Sequence, residues 1–178
     1  MRATGVVRRI DDLGRIVIPK EIRRTMHMRE GDALEIFTEH SGQIILKKYS
    51  MMENMTRLCQ QRADSVYKTM GIACAVCDTE KVTAFAGPGK KEALGRQISP
   101  QVEEVINTRQ AYFKRFSNER KIYACAESSI PVLAVMPIIN SGDCAGAVAL
   151  LCPRDRSAGE GEKKLLALIT SILAENVQ

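Results

Sequence analysis

The pattern of residues 4–49 constrains the fold most, because short apolar runs rich in β-branched residues alternate there with turns and one helix. The helix is predicted over residues 19–28, and it begins at a proline, whose missing N–H costs nothing at that position. About fifty residues bury too little apolar surface to be comfortably stable alone, so the pattern favours pairing with a second copy. The periodicity and turn residues predict strands at 4–10, 15–18, 33–39 and 43–48, with turns at 11–14, 29–32 and 40–42.

Positive charge is concentrated at the start of the chain. The 178 residues have a net charge of +5, and residues 1–24 supply +4 of it, with seven Lys or Arg against three Asp or Glu. A concentrated basic patch predicts an anionic partner, nucleic acid first. On charge alone, a solvated basic face without a ligand is the alternative.

The same segment contains a motif that narrows this choice. Residues 4–24 read Thr-Gly-Val-Val-Arg-Arg-Ile-Asp-Asp-Leu-Gly-Arg-Ile-Val-Ile-Pro-Lys-Glu-Ile-Arg-Arg, and with Gly-Asp-Ala-Leu-Glu-Ile at 31–36 they resemble the DNA-binding domain of the AbrB family of bacterial transition-state regulators. The resemblance implies a swapped-hairpin fold, in which hairpins of two chains interdigitate to form a dimer. Arg2 and Lys20 are expected only to add to the positive field. The resemblance implies DNA contacts for Arg8, Arg9, Arg15, Arg23 and Arg24.

Arginine suits this work because its planar guanidinium can bind phosphate or a guanine edge with two hydrogen bonds. The sequence does not say which arginine touches a base and which a phosphate. The alternative role is ion pairing with Asp11, Asp12 or Glu21, and exposed pairs of that kind contribute only about 0–1 kcal/mol.

The second half of the chain has a different pattern. A helix over 50–70 has apolar residues spaced three and four apart, and this stripe could pack on its own domain, on the same helix of a partner, or on both. A loop is predicted at 87–91, and Pro100 begins a helix over 101–109. The remaining predictions are strands at 72–77 and 82–86, a hairpin of 111–116 with 121–125, strands at 132–139 and 144–152 around the turn 140–143, and an amphipathic helix at 160–177.

This order of elements resembles a GAF domain, and the best local match is Pro-Ile-Ile-Asn-Ser-Gly-Asp-Cys-Ala-Gly-Ala-Val at residues 137–148. The predicted fold class is therefore α+β. Residues 1–50 are predicted to form an AbrB-like swapped-hairpin DNA-binding domain, and residues 51–178 a GAF-like α/β domain with an antiparallel sheet, including the connecting helix 51–70. The whole chain resembles a two-domain sporulation regulator of the AbrB family. That resemblance implies a homotetramer assembled through helices of the second domain.

Six cysteines and two histidines offer little for catalysis or metal binding. Cys74 and Cys77 have the spacing of a zinc or redox pair, but in a strand positions three apart face opposite sides of the sheet. We therefore expect reduced cysteines that act as small apolar residues. Both histidines lie in the first domain, and no nucleophile elbow, paired carboxylates or phosphate loop is present. The sequence predicts neither an enzyme nor a bound cofactor or metal.

The predicted function is a DNA-binding transcription regulator of sporulation genes that binds double-stranded DNA as a homo-oligomer. No apolar run is long enough to span a membrane and no signal-peptide pattern is present, so we expect a cytoplasmic protein. Two alternatives stay open: an AbrB-like antitoxin, and a ligand sensor that uses its basic domain only to multimerise. For a small-molecule ligand, the candidate polar residues are Lys90, Lys91, Glu92, Arg96, Glu127, Ser128 and Ser129.

Overall fold

The computed structural model describes residues 5–26, 28–49 and 55–177, and within them the chain forms five helices and seven strands. The chain divides into two compact units, residues 1–49 and 50–178, called unit 1 and unit 2 below. Both combine helix with antiparallel strands, so the fold class is α+β, as predicted. Among the described residues no helix combines the length and apolar character needed to cross a membrane.

Unit 1 contains α1 (Lys20–Thr25), β1 (Leu34–Thr38) and β2 (Ile44–Lys48). The two strands pair in antiparallel register, with Leu34 opposite Lys48. At the turn, the N–H of Gly42 donates to the C=O of Glu39 at 2.9 Å. This hairpin is the one predicted around residues 40–42, so that prediction is confirmed.

The other predicted hairpin of unit 1 is absent from the single chain. Residues 5–10 and 15–18 form no strand, and the side chains of Val7 and Val17 are 88% and 72% exposed. The main chains of these two segments are hydrogen-bonded to each other only at the turn. The described part of the chain contains no strand that pairs with either segment. The strands predicted at 4–10 and 15–18 are therefore wrong for one chain. Residue 4 lies outside the described residues.

Helix α1 is also shorter than the predicted 19–28. It begins after Pro19, which is buried, and ends at Thr25. The Thr25 hydroxyl donates to the C=O of Glu21 at 2.8 Å within the last turn. The N–H of Met28 then donates to the C=O of Arg23 at 2.7 Å, which closes the turn that follows the helix. Residue 27 lies outside the described residues.

Unit 2 is built on one five-stranded antiparallel sheet in the order β4-β3-β7-β6-β5. The inner strand β3, which lies between β4 and β7, is buried along its whole length. Cys74 and Cys77 point to opposite faces and belong to different apolar clusters, which confirms the prediction made from their spacing. The strands are β3 (Ala73–Cys77), β4 (Val82–Ala86), β5 (Tyr112–Phe113), β6 (Val132–Asn140) and β7 (Asp143–Leu151).

Helices cover both faces of this sheet. On one face lie α2 (Thr56–Met70) and α5 (Glu160–Asn176), and on the other α3 (Lys90–Ala93) and α4 (Pro100–Thr108). The middle of the apolar stripe of α2 is buried against its own sheet, which confirms for that part the first of the two interpretations, whereas Met70 at its end is 42% exposed. In α5, Leu168 is 59% exposed. The buried residues of these two helices include Cys59, Ala63, Val66, Leu166, Ile169 and Leu173.

Two local signals of the sequence give the structure that they predict. Ser99 caps α4, because its hydroxyl accepts the N–H of Val102 at 3.2 Å, and Pro100 takes the first helical position. Between β6 and β7, Ser141 and Gly142 have φ of 51° and 91°, as a two-residue turn with left-handed backbone requires. Helix α4 and the β6–β7 hairpin are therefore confirmed.

The hairpin predicted from 111–116 and 121–125 is wrong. Strand β5 pairs with β6, where Tyr112 lies opposite Val135. Further along the same edge, the N–H of Val132 donates to the C=O of Ile122 at 2.8 Å. One long strand thus supplies main-chain partners to both segments, and the residues between them project as a loop. The loop predicted at 87–91 instead runs into the short helix α3.

Candidate nucleic-acid interface

The basic residues of unit 1 lie on a segment that is open to solvent. Arg8 and Arg9 are exposed, in the extended residues that precede the turn at 11–14. The apolar neighbours Val6 and Ile10 are 46% and 64% exposed. In one chain, therefore, this segment presents both a charged and an apolar surface.

Arg15 is held in place by Asp11. One carboxylate oxygen of Asp11 accepts the main-chain N–H groups of Leu13 and Arg15, at 3.1 and 2.7 Å. The other accepts the guanidinium Nε of Arg15 at 2.7 Å. The main chain closes the same turn, with Gly14 N–H donating to the C=O of Asp11 at 3.0 Å. The turn thus fixes the base of the Arg15 side chain.

These hydrogen bonds also determine the charge at the turn. The pKa of Asp11 is lowered, first by the main-chain N–H of Arg15 and then by its guanidinium. Asp11 is therefore an anion at neutral pH. From the guanidinium of Arg15 its carboxylate accepts only the Nε–H. Because the Arg15 side chain is 70% exposed, its terminal nitrogens are free to meet another anion.

The two arginines of helix α1 differ in their exposure to solvent. Arg24 and Lys20 are exposed, whereas Arg23 is half-buried. The Nε of Arg23 is buried and has no hydrogen-bond partner among the described residues. Arg23 is therefore more covered than Lys20 and Arg24, the other basic residues of α1.

Of the five predicted arginines, four are exposed and Arg23 is partly covered. Arg2 lies outside the described residues. The sequence reasoning missed that Asp11 positions Arg15, although an aspartate four residues before an arginine across a glycine turn was a readable signal. Ion pairing with Asp11 and contact with DNA are compatible for Arg15, because Asp11 contacts only the Nε of the guanidinium.

Three of the seven polar residues proposed for a ligand in unit 2 bond to each other or to the main chain. The Ser129 hydroxyl donates to the carboxylate of Glu92 at 2.9 Å, and this bond links α3 to the loop that precedes β6. The Ser128 hydroxyl donates to the C=O of Ile130 at 3.1 Å. Lys90 and Lys91 are exposed at the start of α3. The arrangement links two loops but does not converge on one point.

The cysteines of unit 2 are free thiols, four of them buried. Burial raises the pKa of Cys59 to about 11 and that of Cys74 to about 12, and the pKa of Cys77 is raised further by burial and by the charge of Asp78. These groups therefore stay protonated at neutral pH. Within the described residues no group of three or more His, Cys, Asp or Glu side chains could hold a metal ion.

Two family models match the chain. Residues 54–178 match the model for the C-terminal part of stage V sporulation protein T, described as a transcription factor. Residues 7–54 match the model for the antidote-toxin recognition protein MazE, a bacterial antitoxin. The division of the matches falls close to the division between the two units.

Curated relatives cover the whole chain and its first third. Stage V sporulation protein T of Bacillus subtilis is 38% identical over 178 residues, which is 100% of this chain and 99% of that protein. Transition state regulatory protein AbrB of Bacillus subtilis is 55% identical over 60 residues, which is 34% of this chain and 57% of that protein.

Unit 2 is similar in fold to a solved structure. The GAF domain from the Acinetobacter phosphoenolpyruvate-protein phosphotransferase superposes with a TM-score of 0.54, over 74% of this chain and 84% of that chain, at 10% identity. At so low an identity the likeness shows the fold alone. The predicted GAF-like fold is confirmed.

Proposed function

Because the chain belongs to the stage V sporulation protein T family of transcription factors, we propose that it regulates sporulation genes by binding double-stranded DNA as a homo-oligomer. The observation that carries the proposal is the arginine surface of unit 1, in which exposed guanidinium groups lie on an open segment. The proposed DNA-binding residues are Arg8, Arg9, Arg15, Arg23 and Arg24.

Arg15 is the residue best prepared for this role. Its turn is already closed by Asp11, so binding an anion fixes fewer torsion angles than it would for a free arginine. The two terminal nitrogens can donate together to a phosphate or to a guanine edge. A contact of either kind releases counterions, and the affinity would therefore fall as salt rises.

A second copy of the chain would complete unit 1. The segments 5–10 and 15–18 have the composition of strands but no strand partner within the described residues, and their apolar side chains are exposed. In the proposed homodimer, the hairpins of two chains interdigitate, so that each chain supplies the missing neighbours of the other. Burial at about 25 cal/mol per Å² of apolar surface would stabilise that dimer.

Unit 2 is proposed to extend the assembly to a homotetramer. Helices α2 and α5 bury one face on their own sheet, yet Tyr67, Met70 and Leu168 remain 38%, 42% and 59% exposed. Those residues are the proposed contacts between copies. A small-molecule ligand of unit 2 is the competing role, and it would alter DNA binding only if it bound two assembly states with different affinity.

Two other functions compete with DNA-dependent regulation. An antitoxin is suggested by the match of residues 7–54, but a toxin-wrapping segment would follow it, whereas unit 2 is a packed domain with a sheet covered on both faces. A sensor that multimerises through unit 1 would have no need of exposed arginines there. We further propose that the chain has no catalytic activity and acts in the cytoplasm, beside DNA.

The test is a DNA titration of the full chain at several salt concentrations. Arg15→Ala and Arg23→Ala are expected to weaken binding across DNA sequences and to reduce the slope of log affinity against log salt by about one for each phosphate that the variant no longer binds. Arg96→Ala, an exposed arginine of unit 2, is the matched control. Unchanged affinity for both unit 1 variants, with an intact fold, would sink the assignment.

Light scattering coupled to gel filtration, with and without a promoter fragment, tests the assembly. We expect a dimer or tetramer that shifts to a larger complex with DNA. A monomer without DNA affinity would contradict the proposed function.

A further inference from the structure

Two loops of unit 2, residues 114–121 and 152–158, lie side by side. The N–H of Ala158 donates to the C=O of Lys114 at 2.8 Å. The Lys114 ammonium, on a side chain that is only 5% exposed, pairs with the carboxylate of Asp155. A buried lysine that is paired in this way is costly to separate from its partner. The two loops are therefore fixed to each other at this point.

The start of β6 holds the far ends of both loops. The N–H of Cys152 donates to the C=O of Pro131 at 3.0 Å, beside the bond that joins Val132 to Ile122. Both loops thus leave the sheet at one end and at adjacent positions. Their exposed side chains consequently share one surface of unit 2.

Four exposed cations lie on these loops. The basic loop surface, as we call it, consists of Arg115, Arg120, Lys121 and Arg154. Within the described residues none of the four forms an ion pair with a carboxylate.

The neighbouring acids are occupied elsewhere. Glu119 accepts the main-chain N–H of Arg115 at 2.9 Å, and Asp155 pairs with Lys114. Glu162, at the start of α5, pairs with Arg156 at 2.7 Å. The acids therefore hold the loops together and leave the four outer cations to solvent.

The charge is local to this part of unit 2. Residues 50–178 contain sixteen Lys or Arg and fourteen Asp or Glu, a net charge of +2. The two loops alone contain six basic and two acidic residues, a net charge of +4, so the remainder of unit 2 has a net charge of −2. An evenly solvated surface would not separate charge in this way. The surface therefore suits a polyanion.

We propose that the basic loop surface is a second nucleic-acid contact, which binds DNA phosphates without reading sequence. This proposal rests on the proposed function, since unit 1 must bring DNA to the molecule. Unit 2 is joined to unit 1 by the chain itself, so DNA bound to unit 1 meets this surface at a raised effective concentration. At that effective concentration, individually weak phosphate contacts are enough.

Arginine and lysine at the four positions fit phosphate contact by charge and reach. Three of them are arginines, whose forked donors bind a phosphate with two hydrogen bonds. Phe116, 65% exposed in the same loop, lies next to Arg115 and adds an apolar face. A surface of this kind also fits an acidic protein segment, so the experiment must separate DNA from such a partner.

The test compares two triple variants of the full chain. Arg115→Gln, Arg120→Gln and Arg154→Gln are combined in one protein, and Lys90→Gln, Lys91→Gln and Arg96→Gln, which are also exposed in unit 2, in the control. Both variants remove three positive charges, so a general charge effect is the same in each. Fluorescence anisotropy with a random-sequence duplex between about 50 and 200 mM salt gives the slope of log affinity against log salt.

We expect the loop variant to have a slope smaller than the control's by roughly 2–3 per chain, at about 0.9 per phosphate contact. Equal slopes for the loop variant and the control would overturn the second contact. If the wild-type chain binds DNA and Arg15→Ala weakens it, such equality leaves the role of unit 1 intact. If the wild-type chain binds no DNA at any salt, both proposals fail.

Poly-L-glutamate is the probe for the other class of partner. Binding of poly-L-glutamate that disappears in the loop variant, together with DNA slopes equal to the control's, would assign the surface to an acidic protein segment and overturn the DNA contact. Urea unfolding of both variants checks that the loops keep their fold. Lys114 and Asp155 are left unchanged for that reason.

Discussion

Unit 1 and unit 2 bury their apolar residues in different ways. In unit 2 the sheet has an apolar cluster on each face, and side chains such as Phe85 and Leu133 are almost completely buried. In unit 1, apart from Pro19, no described residue is buried, and Val7 and Ile36 are 88% and 65% exposed. The difference teaches that unit 2 can be stable within one chain, whereas the stability of unit 1 depends on what it associates with.

The largest effect is expected in the core of unit 2. Phe85 lies in β4 and is fully buried, so Phe85→Ala should lower the free energy of unfolding by about 3–5 kcal/mol, because apolar burial is reduced and a cavity is left behind. Urea unfolding followed by circular dichroism measures this. Phe116→Ala, at an exposed position, should change it by less than about 0.5 kcal/mol. A loss for Phe85→Ala that varied with protein concentration would contradict a self-contained unit 2.

A comparable substitution in unit 1 should act on association. Val7→Ser removes an apolar side chain that the proposed dimer buries, at about 1.5 kcal/mol per copy. With two copies in each dimer, the dissociation constant of the unit 1 contact should rise roughly 100-fold. Sedimentation equilibrium over a range of concentrations measures the change.

The matched control for Val7→Ser is Leu94→Ser, since Leu94 is 41% exposed in unit 2. It should leave association unchanged. Equal behaviour of the two variants would contradict the view that unit 1 is completed by a second chain.

The same contrast explains how far the sequence could predict the fold. In unit 2 the signals were local: Pro100 begins α4, and Ser141 with Gly142 makes the β6–β7 turn. Signals of this kind depend on neighbouring residues, and they predicted the correct elements. The hairpin at 111–125 was wrong because its pairing depends on the edge of β6, which no local pattern reveals.

In unit 1 the apolar pattern at 5–10 is typical of a strand, but strand formation requires a pairing partner, and the described residues of one chain include none for this segment. The five arginines remain candidates taken from the motif, and their different exposure could not be predicted from it. Arg23 is half-buried although it lies on the same short helix as the exposed Lys20 and Arg24, and its spacing does not indicate this difference. The spacing of Asp11 and Arg15 was a readable signal for their ion pair, but the main-chain hydrogen bond that accompanies it depends on the geometry of the turn.

A smaller loss of stability is expected when the outer edge strand of unit 2 loses its side-chain hydrogen bonds. In unit 2, Gln60 of α2 closes the outer edge of β4, because its side chain donates to the C=O of Phe85 at 3.0 Å and accepts the N–H of Phe85 at 3.3 Å. Gln60→Ala would leave both buried groups unpaired, at a cost of about 1–3 kcal/mol in urea unfolding. Gln61→Ala, one residue along the same helix and exposed, should cost far less. Equal costs would show that the edge of β4 does not depend on Gln60.

The smallest effect concerns the pH dependence of the turn in unit 1. The pKa of Asp11 lies below its ordinary value of 3.8, because the anion accepts the N–H and the guanidinium of Arg15. A group with a lowered native pKa stabilises the fold above its ordinary pKa and loses that contribution as pH falls through the native value. The N–H resonance of Arg15, followed by NMR, should therefore titrate below pH 3.8 and become flat in Asp11→Asn.

Asp12→Asn makes this last comparison informative for DNA binding, because it removes the same charge without touching the bonds to Arg15. Loss of a negative charge beside DNA should strengthen binding modestly in Asp12→Asn. Asp11→Asn removes the same negative charge, but it also frees the Arg15 side chain, which then loses conformational entropy when it binds DNA. Asp11→Asn should therefore bind DNA more weakly than Asp12→Asn in titrations at matched salt. Equal affinities would mean that Asp11 shapes the turn without preparing Arg15 for DNA.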